Sequence, residues 1–206
     1  APKCSPATGC WGRGWQVRLM WCDPMPYEAP PELAGLSLAE IAEAVAARKL
    51  PPISTWSPSV TGESHMRIAA DGSWWHEGGR ITRPAMVRAF ASLLMRDKSG
   101  QHWLVTPQQK LAIEVEDAAF VAVDCVERDC ALAFRINTDE VLIAGPEHTL
   151  CVRGSTDAPA VYLAVRHGCE ARLDRSTWLQ LADIALAQGD GSSVTSGEAT
   201  FSLLPA

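Results

Sequence analysis

Several protein classes are excluded by what this sequence does not contain. No run of about 18 apolar residues occurs, so no segment reads as a membrane-spanning helix. There is no excess of positive charge: 18 Lys and Arg stand against 24 Asp and Glu, a net charge of −6. A protein that grips duplex nucleic acid displaces counterions with a basic face, so no nucleic-acid duplex is expected as a partner. Neither the G-x-x-x-x-G-K-[ST] loop nor the G-x-G-x-x-G turn of phosphate sites occurs outside a stray Gly12-x-Gly14. No G-x-S-x-G elbow presents a serine nucleophile, since Ser92 falls within a predicted helix. What remains, over 206 residues and 22.2 kDa, is 47% hydrophobic, 20% charged and of mean hydropathy −0.01. That composition excludes wholesale disorder and allows one large domain or two small ones.

The seven cysteines, Cys4, Cys10, Cys22, Cys125, Cys130, Cys151 and Cys169, are odd in number and contain no C-x-x-C pair. Zinc-ribbon and thioredoxin-like readings therefore lack their core signature. The expectation is free thiols packed as small hydrophobes in a reducing, cytoplasmic setting. Cys125 and Cys130 lie in strand-like text, where a hairpin would face them across each other.

Residues 1–24 differ from the rest. Trp11, Trp15 and Trp21 follow no helical or strand period, and Lys3, Arg13 and Arg18 stand against only Asp23. Val17 to Cys22 is too short, and too broken by Arg18, for a secretory h-region. This stretch is expected to be a disordered or non-native tail ahead of a natural start at Met25. Ser37 and Glu40 then form a capping box for a helix carrying Leu38, Ile41 and Val45, stopped at Pro51-Pro52. His65 to Ala69 and Ser73 to Trp75 read as strands around the Asp71-Gly72 turn. A helix is predicted from Pro84 to Met95 on the stripe Val87, Phe90, Leu94. A short strand, Trp103 to Val105, precedes a second capping box, Thr106-Pro107-Gln108-Gln109, with a turn of helix to follow.

Beyond Leu111 the text is β-like, with strands at Phe120–Val126, Ala131–Ile136, Val141–Ile143, Leu150–Arg153 and Val161–Val165. Arg128-Asp129 reads as a hairpin turn. A last helix spans Arg175 to Ala187 behind an Asp174 cap. The reading is an α+β protein with mainly antiparallel sheets: a domain at 25–110, a second at 111–187 and a tail at 188–206.

Two segments read alike: Ile81-Thr82-Arg83-Pro84-Ala85-Met86-Val87 and Leu173-Asp174-Arg175-Ser176-Thr177-Trp178-Leu179. Their placement suggests duplication. Arg83 and Arg175 oppose the positive end of a helix dipole, which an ordinary ion pair or a bound anion would explain.

From Met25 to about Ala187 the chain resembles the bacterial domain-of-unknown-function family numbered 1285. The resemblance rests on Pro51-Pro52 with Trp56-x-Pro58, on Asp71-Gly72-Ser73-Trp74-Trp75-His76-Glu77-Gly78, and on Leu104-Val105-Thr106-Pro107 with Lys110. It continues through Ile113-Glu114-Val115-Glu116-Asp117-Ala118, Phe134-Arg135 with Asn137, Gly145 with His148, and Tyr162-Leu163-Ala164-Val165-Arg166-His167-Gly168. Gln109 stands where the family usually has Glu, and Thr149 where a Pro follows His148. The resemblance implies two small duplicated α+β domains, the second pleckstrin-homology-like and closed by a C-terminal helix. It also implies binding of a nucleotide-like ligand between the domains, with a signalling role.

The residues themselves leave three functions open. A small anionic or nucleotide-like ligand would use Trp74, Trp75 and Tyr162 for stacking, and Arg83, Lys110, Arg135, Arg166 and Arg175 for charge. Glu116, Asp117 and Asn137 would read its hydroxyls or amines. A metal-assisted hydrolase or transferase would use His76, Glu77, Asp117 and His148, although Arg80 fills the place of the second histidine of H-E-x-x-H. A protein–protein adaptor is the third. No cofactor is expected.

Overall fold

The structure, a computed structural model, describes residues 50–155 and 158–205. The expected tail at 1–24 and the helix capped by Ser37 lie outside the described residues. After a 3-10 turn at Ile53–Thr55 comes a three-stranded meander, β1 (Val60–Ile68), β2 (Trp74–His76) and β3 (Gly79–Ile81). Helix α1 (Pro84–Ala91) leads to a second meander, β4 (Leu94–Arg96), β5 (His102–Val105) and β6 (Gln109–Val115). The chain then repeats the scheme with β7 (Phe120–Arg128), β8 (Ala131–Ile136), β9 (Val141–Ile143), β10 (Leu150–Ser155), β11 (Ala158–Ala164) and β12 (Glu170–Leu173). Helix α2 (Arg175–Gln188) and the hairpin β13 (Ser193–Ser196) and β14 (Ala199–Ser202) follow.

The first sheet runs β3-β2-β1-β6-β5-β4 and the second β9-β8-β7-β12-β11-β10. These are one topology used twice: two meanders joined by a parallel pairing of the first and last strands, β1 with β6 and β7 with β12. All other ladders in the two sheets are antiparallel. The repeat is therefore one of sheet topology, and the Arg83 and Arg175 segments do not mark it. Arg83 precedes the helix between the meanders, whereas Arg175 opens a helix that follows the last strand. The counterpart of α1 in the second unit is only the loop at 144–149.

Local chemistry explains the accurate expectations. Asp71 Oδ1 accepts from the Ser73 N–H at 2.9 Å and Gly72 takes φ +78°, which only glycine adopts without strain. Asp174 Oδ1 accepts from the Thr177 N–H at 2.7 Å and starts α2 as expected.

Other expectations are corrected. The α1 helix stops at Ala91, and Leu94 enters β4, because the β4–β5 ladder captures Leu94 to Arg96. The Thr106 hydroxyl does accept from the Gln109 N–H, at 3.1 Å, but the Thr106 N–H returns to the Gln109 carbonyl and the result is the β5–β6 hairpin. The turn after β7 falls on Asp129 and Cys130, both with positive φ. Cys125 instead pairs with Phe134, so the two thiols do not face each other.

Both domain limits also move. Strand β6 belongs to the first sheet, so the chain changes sheets at 116–119 rather than after 110. The expected tail is part of the second domain over residues 188–203. Val194, Phe201 and Leu203 are buried in its core, and the Ser196 hydroxyl bridges the Leu132 N–H and the Ala144 carbonyl.

One continuous apolar cluster links the sheets, from Ile68, Trp74 and Leu94 to Phe120, Phe134 and Leu163. Close approach at the seam depends on two glycines. A Cβ at Gly72 would lie 2.6 Å from Asn137 Nδ2 and 2.9 Å from Val121 Cγ2, and one at Gly168 would lie 2.8 Å from the Arg96 carbonyl. The Arg96 N–H donates to the His167 carbonyl at 2.9 Å, and Arg166 Nη2 to the Ala91 carbonyl at 3.1 Å.

Candidate functional site

A cleft opens where the tip of the first sheet meets the second domain. Its walls come from the β1–β2 turn (Gly72, Ser73), from β3 and its exit (Arg80, Ile81, Thr82), from α1 (Val87, Arg88) and from the β8–β9 turn (Asn137, Asp139). Its volume is about 200 Å³, below the range of about 300–1,000 Å³ that encloses a drug-sized molecule. Arg88 Nη1 donates to Asp139 Oδ2 at 2.7 Å across the opening, with both side chains partly exposed. Arg80, on the rim, is exposed and forms no ion pair with a described residue. The cleft thus combines two guanidiniums, one carboxylate, hydroxyls at Ser73 and Thr82 and an amide at Asn137.

Of the residues expected to bind ligand, Trp74 and Asn137 reach this cleft. Trp74 is only 2% exposed and stacks on Phe90 at 6.2 Å between ring centroids, so its faces belong to the core. Asn137 Oδ1 accepts from the Val121 N–H at 3.2 Å. Arg83 and Arg175 are exposed at the starts of their helices and do not line it; Arg80 and Arg88 do.

Several of the remaining candidates are engaged by other side chains of the protein. Asp117 accepts from the Tyr162 hydroxyl at 2.8 Å and from Arg172 at 2.7 Å, while Arg153 covers the Tyr162 ring at 4.4 Å and pairs with Glu170. Burial, then the bond to Asp117, raises the Tyr162 pKa. Glu116 takes the Ala70 N–H and the Arg67 guanidinium, and those two donors hold its carboxyl below the ordinary value. Arg135 pairs with Asp124 at 3.6 Å, Arg166 with buried Glu140, and Lys110 lies 4.0 Å over the Trp103 ring. Of the expected stacking faces, Trp74 is buried and Tyr162 is covered by Arg153, while half-buried Trp75 has Arg67 at 5.6 Å from its ring centroid and borders a separate groove.

The hydrolase set is not assembled either. His148 Nδ1 lies 2.9 Å from the Ala164 carbonyl, Asp117 is engaged as above, and His76 and Glu77 sit at the β2–β3 turn. Among the described residues no three His, Cys, Asp or Glu side chains converge to hold a metal. Glu77 instead borders a separate groove with Glu63, His65 and Trp75. The four described cysteines are free thiols, with Cys130 exposed and Cys151 half-buried rather than packed away. Burial pushes the Cys169 thiol up to about 12 and Cys125 higher still, which makes both poor nucleophiles.

Sequence reasoning missed Arg80, Arg88 and Asp139. Only the polar run Asn137-Thr138-Asp139-Glu140 between two apolar strands hinted at a turn facing something.

Comparison with known proteins places the whole described fold. The profile of the N-terminal domain of DUF1285, a domain of unknown function, matches residues 51–118, and that of the C-terminal domain matches residues 119–203. The chain belongs to the DUF1285 family. Its two domain profiles divide at 118/119, where the chain passes from one sheet to the other. A DUF1285 family protein from Silicibacter pomeroyi DSS-3, with a crystal structure at 2.50 Å resolution, shares 32% identity over 81% of this chain and 95% of that one, with a TM-score of 0.67. Another from Shewanella baltica OS155, at 1.40 Å, shares 23% identity over 57% of this chain and 90% of that one, with a TM-score of 0.48. No curated protein matches the chain. Among the described residues of this DUF1285 protein, no helix is long and apolar enough to cross a membrane.

Proposed function

We propose that this DUF1285 protein is a binding module that takes a small anion in the cleft between its two domains and serves a regulatory role through it. The observation carrying this reading is the lining: Arg80 and Arg88 from one domain face Asn137 and Asp139 of the other. A guanidinium with hydroxyl and amide neighbours is a common way to hold phosphoryl or carboxylate oxygens. The small volume and the covered faces of Trp74 and Tyr162 favour the anionic group itself over a stacked base.

The test is calorimetric titration with inorganic phosphate, pyrophosphate and mononucleotides. A saturating probe at 100 times its Kd is expected to add about 2.7 kcal/mol of stability. Arg80→Gln is expected to weaken binding more than tenfold, the loss of one charged hydrogen bond of about 1.5–3 kcal/mol, and added salt to weaken it further. Full affinity in Arg80→Gln would sink the reading. The adaptor alternative would then gain, since Leu179 and Leu186 on α2 are 55% and 62% exposed and offer an apolar face.

A further inference from the structure

Among the features of the cleft, one belongs to the protein yet stands where a ligand's charge would go. Asp139 lies in the β8–β9 turn of the second domain, and its carboxylate reaches across the opening to Arg88 on α1 of the first. Both residues line the same cavity. The turn that delivers Asp139 is short and specified: the Asp139 N–H bonds the Ile136 carbonyl, the Ile136 N–H bonds the Glu140 carbonyl, both at 2.9 Å, and Asp139 takes φ +64°. A non-glycine residue at that φ is uncommon, and here it aims an acid at the cleft.

We infer that Asp139 is an internal competitor, a carboxylate that occupies the anion position until a more highly charged ligand displaces it from Arg88. This rests on the anion-site reading and adds the regulation of that site and the class of ligand that operates it. A singly charged carboxylate brings Arg88 no more charge than Asp139 already supplies. A doubly charged phosphoryl group brings more, and its spare oxygens can also meet Arg80, Ser73 and Thr82. Displacement has a structural output as well. Arg88–Asp139 joins the two domains, so a ligand that takes Arg88 from Asp139 removes one tie between the β8–β9 turn and the first domain, while the packing of Asn137 on Gly72 stays.

The decisive variant is Asp139→Asn. Asparagine is nearly isosteric and tolerates positive φ, so the turn is kept while the competing charge is removed. Titrated with pyrophosphate, Asp139→Asn is expected to bind about two- to fivefold more tightly than the wild type, since a partly exposed ion pair is worth up to about 1 kcal/mol. Glu147→Gln, which removes an exposed charge from the same domain away from the cleft, is expected to bind like the wild type. A second readout needs no variant: hydrogen exchange of amides 137–141 in the wild type should speed up on saturation with pyrophosphate, because the turn has lost its ion pair to α1. Equal or weaker binding by Asp139→Asn, or an equal gain in Glu147→Gln, overturns the competitor while wild-type binding preserves the anion site. Should Asp139→Asn fail to fold, slowed or unchanged exchange at 137–141 overturns it equally. Absence of pyrophosphate binding to both proteins removes the anion site and the competitor together.

Discussion

The two six-stranded sheets share a strand order but are covered differently. In the first unit a two-turn helix bridges the meanders, and Met86 on it is 41% exposed. In the second, the bridge is a loop, and the cover is α2 and the β13–β14 hairpin, whose Leu181, Ala185, Val194 and Phe201 are buried. Among the described residues the same topology is thus finished in two ways, one closed over its core by a helix and hairpin and one carrying polar side chains at its tip. The cleft sits on the open unit and borrows only a turn from the closed one. Among the described residues the larger share of buried apolar side chains lies in the second unit, and the polar cleft lies at its border with the first.

The largest test of that contrast removes the cover. A chain ending at Gln188 loses the burial of Val194, Phe201 and Leu203, at about 1.5–3 kcal/mol each. That approaches the whole stability of a typical domain, so the truncated chain is expected to lose cooperative unfolding in urea. A normal transition would mean the hairpin is ornament and the units are more alike than they look.

Next in size is the seam. Arg166→Met takes its guanidinium partner from buried Glu140 and breaks the tie to the Ala91 carbonyl, a cost of about 3–5 kcal/mol in a denaturant titration. Gly72→Ala sharpens the point at smaller scale. The new methyl meets Asn137 and Val121 at a positive φ, and an expected loss of about 1–3 kcal/mol follows. Gly145→Ala, with nothing within 4 Å of its Cβ, is the matched control and should be close to neutral.

Much of the strand plan was legible because its signals are local: Asp71-Gly72 at one turn, Asp174 before one helix, β-branched runs from Phe120 onward. Where reading failed, a local signal had two outcomes and a distant partner chose between them. Leu94 continues the spacing of Val87 and Phe90, yet its ladder with Leu104 made it strand. Thr106 makes the same side-chain bond whether a helix or a hairpin follows. The tail was dismissed because Val194, Phe201 and Leu203 are sparse in sequence, although they share one face of a hairpin. The site was the least legible part. Arg80 and Asp139 line one cleft only because two meander tips converge, and no spacing along the chain encodes that.

The smallest expected effect is a pH response at the seam. Burial first, then Arg96 beside His102 and Arg166 beside His167, hold both imidazoles below the ordinary 6.5, against weaker pulls from Glu170 and Asp97 on His102. Below 6.5 the unfolded chain takes up protons that the folded protein refuses. Their contribution is therefore full above pH 6.5 and declines as the pH falls below it. The melting temperature should drop modestly between pH 7.5 and 5.5, and less so in His167→Gln. A flat profile would show that these histidines do not report on the seam.

The parallel pairing of β1 with β6 has a consequence for how such a molecule grows. Strands that open and close a unit side by side in the same direction receive the chain at one end of the sheet and release it at the other, roughly 20 Å away at about 3.3 Å per residue. Had the closing strand run the other way, the chain would have come back to its point of entry and needed a strap across the whole sheet to begin again. Here four residues, 116–119, are enough to start the next copy. A gene that doubles this unit obtains a second sheet already placed end to end with the first, and with it a new border at which two surfaces that never met before can be put to use.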